Sequence, residues 1–183
     1  EYKGKLLIEI DPGIAFGTGM HETTQLCIRQ LKKYVNNNTN ILDVGCGSGI
    51  LSIAALKLGA KSAVGIDIDE NAVTASYENL KVNKLSEESC RVYSGNILEN
   101  KELRDRAGYE RYDIVVANIL ADVLMPLSDI AHEHLKKGGY FITSGIIDTK
   151  EEEVVKKIEA NPRFEIVEVT RQNEWSSVTA RRI

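Results

Sequence analysis

From residue 41 onward, short runs of β-branched and apolar residues alternate with longer stretches whose apolar positions recur every three or four residues. The runs Ile41 to Val44, Ala63 to Ile68, Arg91 to Ser94, Ile114 to Ala117 and Tyr140 to Ser144 predict strands. Between and after them, Ile50 to Leu58, Glu70 to Asn83, Ala121 to Lys136 and Thr149 to Ala160 predict helices. Strand followed by helix, repeated, implies right-handed crossovers and a parallel sheet covered on both faces. The pattern changes at the end, where Phe164 to Thr170 and Ser176 to Arg182 are strand-like but separated by a short polar turn. That connection is too short for a parallel crossover, so the two pair antiparallel at the sheet edge. Ahead of the alternating region lie a strand-like segment, Lys5 to Ile10, and a glycine-rich loop, Asp11 to Gly19. His21 to Tyr34 then carries Leu26, Ile28, Leu31 and Tyr34 at helical spacing, with Thr23 or its predecessors able to cap, and stops at Asn36-Asn37-Asn38. The expected fold is α/β, a doubly wound, mostly parallel seven-stranded sheet with an antiparallel C-terminal hairpin.

Composition narrows the class without naming a function. A chain of 183 residues suits one core that buries roughly 70% of its unfolded surface. Its most apolar stretch, Ile114 to Leu127, is interrupted by Asn118 and Asp122 and falls short of a bilayer span. The start, Glu1-Tyr2-Lys3-Gly4-Lys5, lacks the order of a secretion signal and an initiator Met, which reads as a domain cut from something longer. Cys27, Cys46 and Cys90 form no CxxC pair, which fits reduced thiols in a cytoplasm and gives no support to a metal site. A net charge of -4 argues against gripping nucleic acid by counterion release, a local Arg181-Arg182 patch aside, and tolerates a basic protein partner.

The strongest local signal is Ile41-Leu42-Asp43-Val44-Gly45-Cys46-Gly47-Ser48-Gly49-Ile50, a strand running through a glycine turn into a helix. Glycines allow positive φ and close approach of a ligand, and the helix start offers N–H groups, so a nucleotide-like ligand is expected there. A dinucleotide fingerprint needs glycine or alanine where Ile50 stands, and the third glycine here comes one residue early. The G-x-G-x-G spacing resembles the first motif of class I S-adenosylmethionine methyltransferases, whose ligand carries no phosphate. About twenty residues on, at the end of the second strand, Asp67 suits the ribose hydroxyls, while Asp69 is placed to cap the next helix. Cys46 reads as a small buried side chain in a turn, with no histidine in local spacing to activate it.

With these residues the chain resembles the ribosomal protein L11 methyltransferase family, a group of protein-lysine methyltransferases. The resemblance rests on Asp11-Pro12-Gly13-Ile14-Ala15-Phe16-Gly17-Thr18-Gly19 with His21-Glu22-Thr23-Thr24, on Asp43 to Lys57, on Gly65-Ile66-Asp67-Ile68-Asp69, and on Ala117-Asn118-Ile119-Leu120-Ala121. It implies a Rossmann-like domain over residues 1–183 that binds S-adenosylmethionine through Thr24, Gly45, Gly47, Asp67, Ile68 and Asn118. It also implies ribosomal protein L11 as the partner methylated, on lysine ε-amino or N-terminal α-amino groups. The family's separate N-terminal recognition domain is expected to be absent from this chain. Relatives that methylate planar amides resemble one another in an Asn-Pro-Pro-Tyr motif where this chain has Asn118-Ile119-Leu120-Ala121, which favours a flexible alkyl amine. Asn118 is the expected catalytic contact, Phe16 a lining of the transfer pocket or an anchor for its loop, and His21 a proton carrier or a helix-start residue. Two alternatives stand beside this one: another acceptor, whether protein, nucleic acid or small molecule, and a nucleotide-binding domain without catalysis.

Overall fold

The computed structural model describes residues 6–11 and 19–183. Its seven-stranded sheet has the order β3-β2-β1-β4-β5-β7-β6. Strands β1 (Asn40–Val44), β2 (Ser62–Asp67), β3 (Cys90–Ser94), β4 (Tyr112–Asn118) and β5 (Leu135–Ile147) run parallel. Strands β6 (Phe164–Gln172) and β7 (Trp175–Arg182) form the expected hairpin, with β7 inserted antiparallel between β5 and β6.

Alternation along each strand divides the core in two, because successive side chains point to opposite faces. Ile114 and Val116 face α1 (Glu22–Tyr34), α2 (Ile50–Lys57) and α3 (Glu70–Val82). Val115 and Ala117 face α4 (Lys101–Ala107), α5 (Ala121–His134) and α6 (Asp148–Glu159). All seven of the central β4 residues except Asp113 and Asn118 are buried, which is why this strand reads as a continuous apolar run. The chain winds outward from β1 to β3, returns to lay β4 beside β1, and winds outward again. A crevice therefore opens at the carboxyl ends of β1 and β4, where neighbouring crossovers leave toward opposite faces. Among the described residues no helix is long and apolar enough to cross a membrane.

Two expectations require correction, and one helix was not among them. The described part of the opening segment, residues 6–10, is not a strand. It is bound instead to the C-cap of α3, through Glu9 N to Asn83 Oδ1 (3.0 Å) and Asn83 Nδ2 to Glu9 O (2.6 Å), and Asp11 N after it donates to Asn79 Oδ1 of α3 (2.9 Å). Helix α4 was not anticipated because its sequence is polar and buries only Leu103 and Ala107, one turn apart; Asn100 caps it by accepting from Leu103 N at 3.0 Å. Finally, α5 ends at His134 rather than Lys136, since Leu135 is already in register with Tyr112 of β4. Sheet pairing outweighs helix propensity over those two residues.

Candidate functional site

The turn after β1 is shaped by its own chain before any ligand is considered. Gly45, Gly47 and Gly49 have φ of +74°, +52° and +80°, a region that costs other L-residues about 1–2 kcal/mol. Gly45 N and Cys46 N both donate to Ile66 O, at 2.8 and 3.2 Å, and Gly49 N donates to Cys46 O at 2.8 Å. Gly47 N donates to Asp67 Oδ2 at 2.8 Å. The N–H groups of Gly45, Cys46, Gly47 and Gly49 are thus consumed inside the protein rather than directed at a phosphate. The glycine at position 45 serves its own fold as well, because a Cβ there would stand 2.4 Å from Ile119 Cγ2. Gly65 makes similar room for Cys46, whose Sγ lies 3.0 Å from the site of a Cβ; the thiol is buried and its pKa raised by desolvation, in keeping with a packing role.

Asp43 holds the other side of the turn. Helix α2 starts at Gly49 with no side-chain cap, and Asp43 substitutes from β1: its Oδ2 accepts from Ser52 N (3.1 Å) and Ser52 Oγ (2.8 Å). The carboxyl is fully buried, and among the described residues its Oδ1 has no partner. Burial pushes its pKa up to about 7, against the two bonds from Ser52, which lower it. With the folded pKa above the ordinary 3.8, the unfolded chain releases its proton first, so this group's contribution to stability declines as pH rises from about 4 to about 7 and is constant above. Asp43→Asn cannot ionise. The melting temperature of the variant minus that of the wild type should therefore climb across this interval; a difference independent of pH between 4 and 8 would refute the assignment.

Beyond the turn lies a cavity of about 330 Å³, lined by Thr24, Gly45, Gly47, Asp67, Ile68 and Asn118 together with residues of β1, β2 and α5. All six expected cofactor contacts are therefore on one wall system. Asp67 ends β2, and its two carboxylate oxygens each accept one main-chain N–H, from Gly47 at 2.8 Å and from Asp69 at 3.0 Å. Each oxygen keeps acceptor capacity, since a carboxylate offers about four lone-pair sites. Asp69 is the cap of α3, accepting from Asn71 N at 2.9 Å. Asn118, at the end of β4, donates from Nδ2 to Thr24 Oγ1 at 3.3 Å, a bond that joins two positions 94 residues apart. Asp67 is the only charged side chain lining the cavity among the described residues, and no lysine or arginine joins it. A phosphate would find no counter-charge, whereas a neutral nucleoside bearing a cationic group suits the lining.

Sequence reasoning missed one part of the wall, next to Asp67. Gly95, Asn96, Ile97 and Leu98, between β3 and α4, also line the cavity. The available signal was weak: an Asn whose side chain accepts from the N–H two residues on, here Leu98 N at 3.0 Å, occurs in countless turns.

His21 is placed as the N-cap of α1, and among the described residues it is not part of the cavity lining. Its Nδ1 accepts from Thr23 N at 3.3 Å and lies 2.9 Å from Thr23 Oγ1, and its ring meets Trp175 edge-on with centroids 5.1 Å apart. Asparagine is a stronger cap. His21→Asn should accordingly keep turnover within about threefold and His21→Ala should cost about 1 kcal/mol of stability; a hundredfold loss of methyl transfer in a stably folded His21→Asn variant would return the residue to proton transfer. Phe16 lies outside the described residues.

A family model described as ribosomal protein L11 methyltransferase (PrmA) matches residues 1–183. The ribosomal protein L11 methyltransferase of Lachnospira eligens is 58% identical over 182 residues, covering 100% of this chain and 57% of that protein. The protein of the same name from Agathobacter rectalis is 54% identical, with 98% and 56% covered. The chain thus spans a little over half the length of these curated relatives. The crystal structure of ribosomal protein L11 methylase from Lactobacillus delbrueckii subsp. bulgaricus superposes with a TM-score of 0.84 at 34% identity, over 96% of this chain and 84% of that one. The chain belongs to the ribosomal protein L11 methyltransferase family.

Proposed function

We propose that residues 1–183 form an S-adenosylmethionine-dependent methyltransferase domain that modifies amino groups of ribosomal protein L11. The observation that carries this reading is one cavity, at the switch point of the sheet, with Asp67 at one station and the Thr24–Asn118 pair at another. The sheet order supports the orientation. Moving from β4 through β1 and β2 to β3, the cavity presents Asn118, then the glycine turn, then Asp67, then residues 95–98. A reactive end, a sugar and a nucleobase fit that sequence of stations.

S-adenosylmethionine, when bound, supplies a methyl group already activated on a sulfonium, so the protein's task is position and exclusion of water. Asp67 accepts from the ribose hydroxyls with the lone pairs that Gly47 and Asp69 leave unused. Ile68, 75% exposed at the rim, and residues 95–98 line the part of the cavity that would hold the nucleoside and its base. Thr24 fixes the side-chain amide of Asn118, and with Nδ2 engaged there, Oδ1 would be the acceptor left for an incoming amine. Ile119, Leu120 and Val123 surround that end with apolar surface. Burial among them disfavours an ammonium and lowers a lysine's pKa, the direction the reaction needs, without a strong base from the protein.

The test is transfer of a radiolabelled methyl group to purified ribosomal protein L11, followed by amino-acid analysis. Label recovered as methylated lysine or α-amine supports the proposal. Label confined to nucleic acid or small molecules would transfer the reading to another acceptor, and absence of any transfer despite tight cofactor binding would leave a nucleotide-binding domain in its place.

A further inference from the structure

Arg104 is not among the residues that line the cavity, yet it is bonded to one of its walls. After β3 the chain carries no ladder bonds, and residues 95–98 must be held by other means. Gly95 N donates to Asp67 O at 2.8 Å, which ties the near end of this loop to the end of β2. Asn96 turns the loop by accepting from Leu98 N, and the buried Ile97 side chain anchors its middle in the core. The two carbonyls that follow, Ile97 O and Leu98 O, both accept from a single guanidinium nitrogen of Arg104, Nη1, at 2.9 Å each. Arg104 sits in the second turn of α4 and is half-buried, so water competes only in part for these carbonyls.

Two consecutive carbonyls bridged by one charged donor allow little freedom to the peptide between them. That peptide belongs to the wall assigned to the nucleobase; with its N–H spent on Asn96 Oδ1 and its carbonyl on Arg104, it fixes where the Ile97 N–H and the Asn96 Nδ2 amide stand in that wall. We propose that Arg104 is a positioning residue that presets residues 95–98 for the adenine ring and thereby sets selectivity for the base of the cofactor. The proposal rests on the reading of the cavity as an S-adenosylmethionine site. Arginine suits the task because its planar fork is preorganised; a lysine ammonium can reach the same carbonyls but holds them with less directional control.

Calorimetric titration tests this with the wild type, Arg104→Met and Arg104→Lys, each against S-adenosylhomocysteine and S-inosylhomocysteine, which differ only at the base edge. Loss of preorganisation in Arg104→Met should weaken S-adenosylhomocysteine about tenfold and the inosine analogue less, so that the preference for adenine shrinks. Arg104→Lys should recover part of both affinity and preference. Equal weakening of the two ligands, or Arg104→Met binding both as the wild type does, would overturn the role in selectivity. Failure of the wild type to bind either ligand would instead overturn the cofactor reading beneath it, so the two failures are distinguishable. Thermal melts of both variants accompany the titrations, and a changed preference at an unchanged melting temperature separates positioning from general stability.

Discussion

Gly145→Ala is expected to lower methyl transfer about a hundredfold, the scale at which roughly 1 Å of misplacement near the reacting atoms is felt. Gly145 occupies β5 at φ +84°, in the irregular stretch where pairing with β7 shifts register between Thr143 and Ile146. A Cβ built there would stand 2.4 Å from Ile119 O, 2.9 Å from Ile119 C and 3.1 Å from Ile119 N. These are main-chain atoms of the residue immediately after Asn118, and Ile119 N is itself bonded to Ser144 O at 3.2 Å. The backbone cannot yield without carrying Asn118 away from Thr24. Left-handed strain and overpacking together should also cost about 2–5 kcal/mol of stability. With Asp67 as the proposed main anchor, binding of S-adenosylhomocysteine should change far less than turnover. Turnover close to that of the wild type would show that Asn118 need not stay where β5 holds it.

Asp67→Ala should raise the dissociation constant for S-adenosylhomocysteine by about 100- to 1000-fold, as two hydrogen bonds to a charged acceptor at about 1.5–3 kcal/mol each would require, less partial replacement by water. The same change frees the N–H groups of Gly47 and Asp69, so the turn loosens along with the loss of direct contact. Asp67→Asn separates the two effects. Its amide keeps one carbonyl oxygen for the turn but offers fewer acceptors to a ribose, and it should bind at an intermediate level with a melting temperature near that of the wild type. An Asp67→Ala variant that binds within about threefold of the wild type would remove the carboxylate from the sugar site and, with it, the assigned orientation of the ligand.

The elements read from the sequence were those whose signals are local. The run Ile41 to Val44 entering Gly45-Cys46-Gly47-Ser48-Gly49 is a strand, turn and helix in the structure, and the short link before Trp175 produced the antiparallel hairpin. Helix α4 escaped notice because two buried residues in seven leave almost no periodic signal. The expectation for the segment before residue 11 failed for a related reason: its apolar positions suit a strand, but the N–H and C=O of Glu9 are bonded to the side chain of Asn83 at the end of a distant helix. The candidate site divides in the same manner. Asp67 and Asn118 were legible because each ends a strand in a motif that announces itself. The wall at 95–98 was not, since ordinary residues become a binding surface there only through their neighbours.

Hydrophobic periodicity, the glycine spacing and the placement of carboxylate and amide at strand ends were enough to establish a doubly wound sheet, its family and the side chains at its crevice. Such features depend on residues near one another in the chain, where sterics and burial act on each short segment separately. Tertiary structure alone decided that the N–H groups of Gly45, Cys46 and Gly47 are spent on Ile66 and Asp67, that Thr24 is bonded to Asn118, that Gly145 makes space for Ile119, and that Arg104 is bonded to the loop at residues 97 and 98. Each of those is a contact between elements distant in sequence, and its existence follows from the packing of the whole sheet rather than from the preferences of either partner.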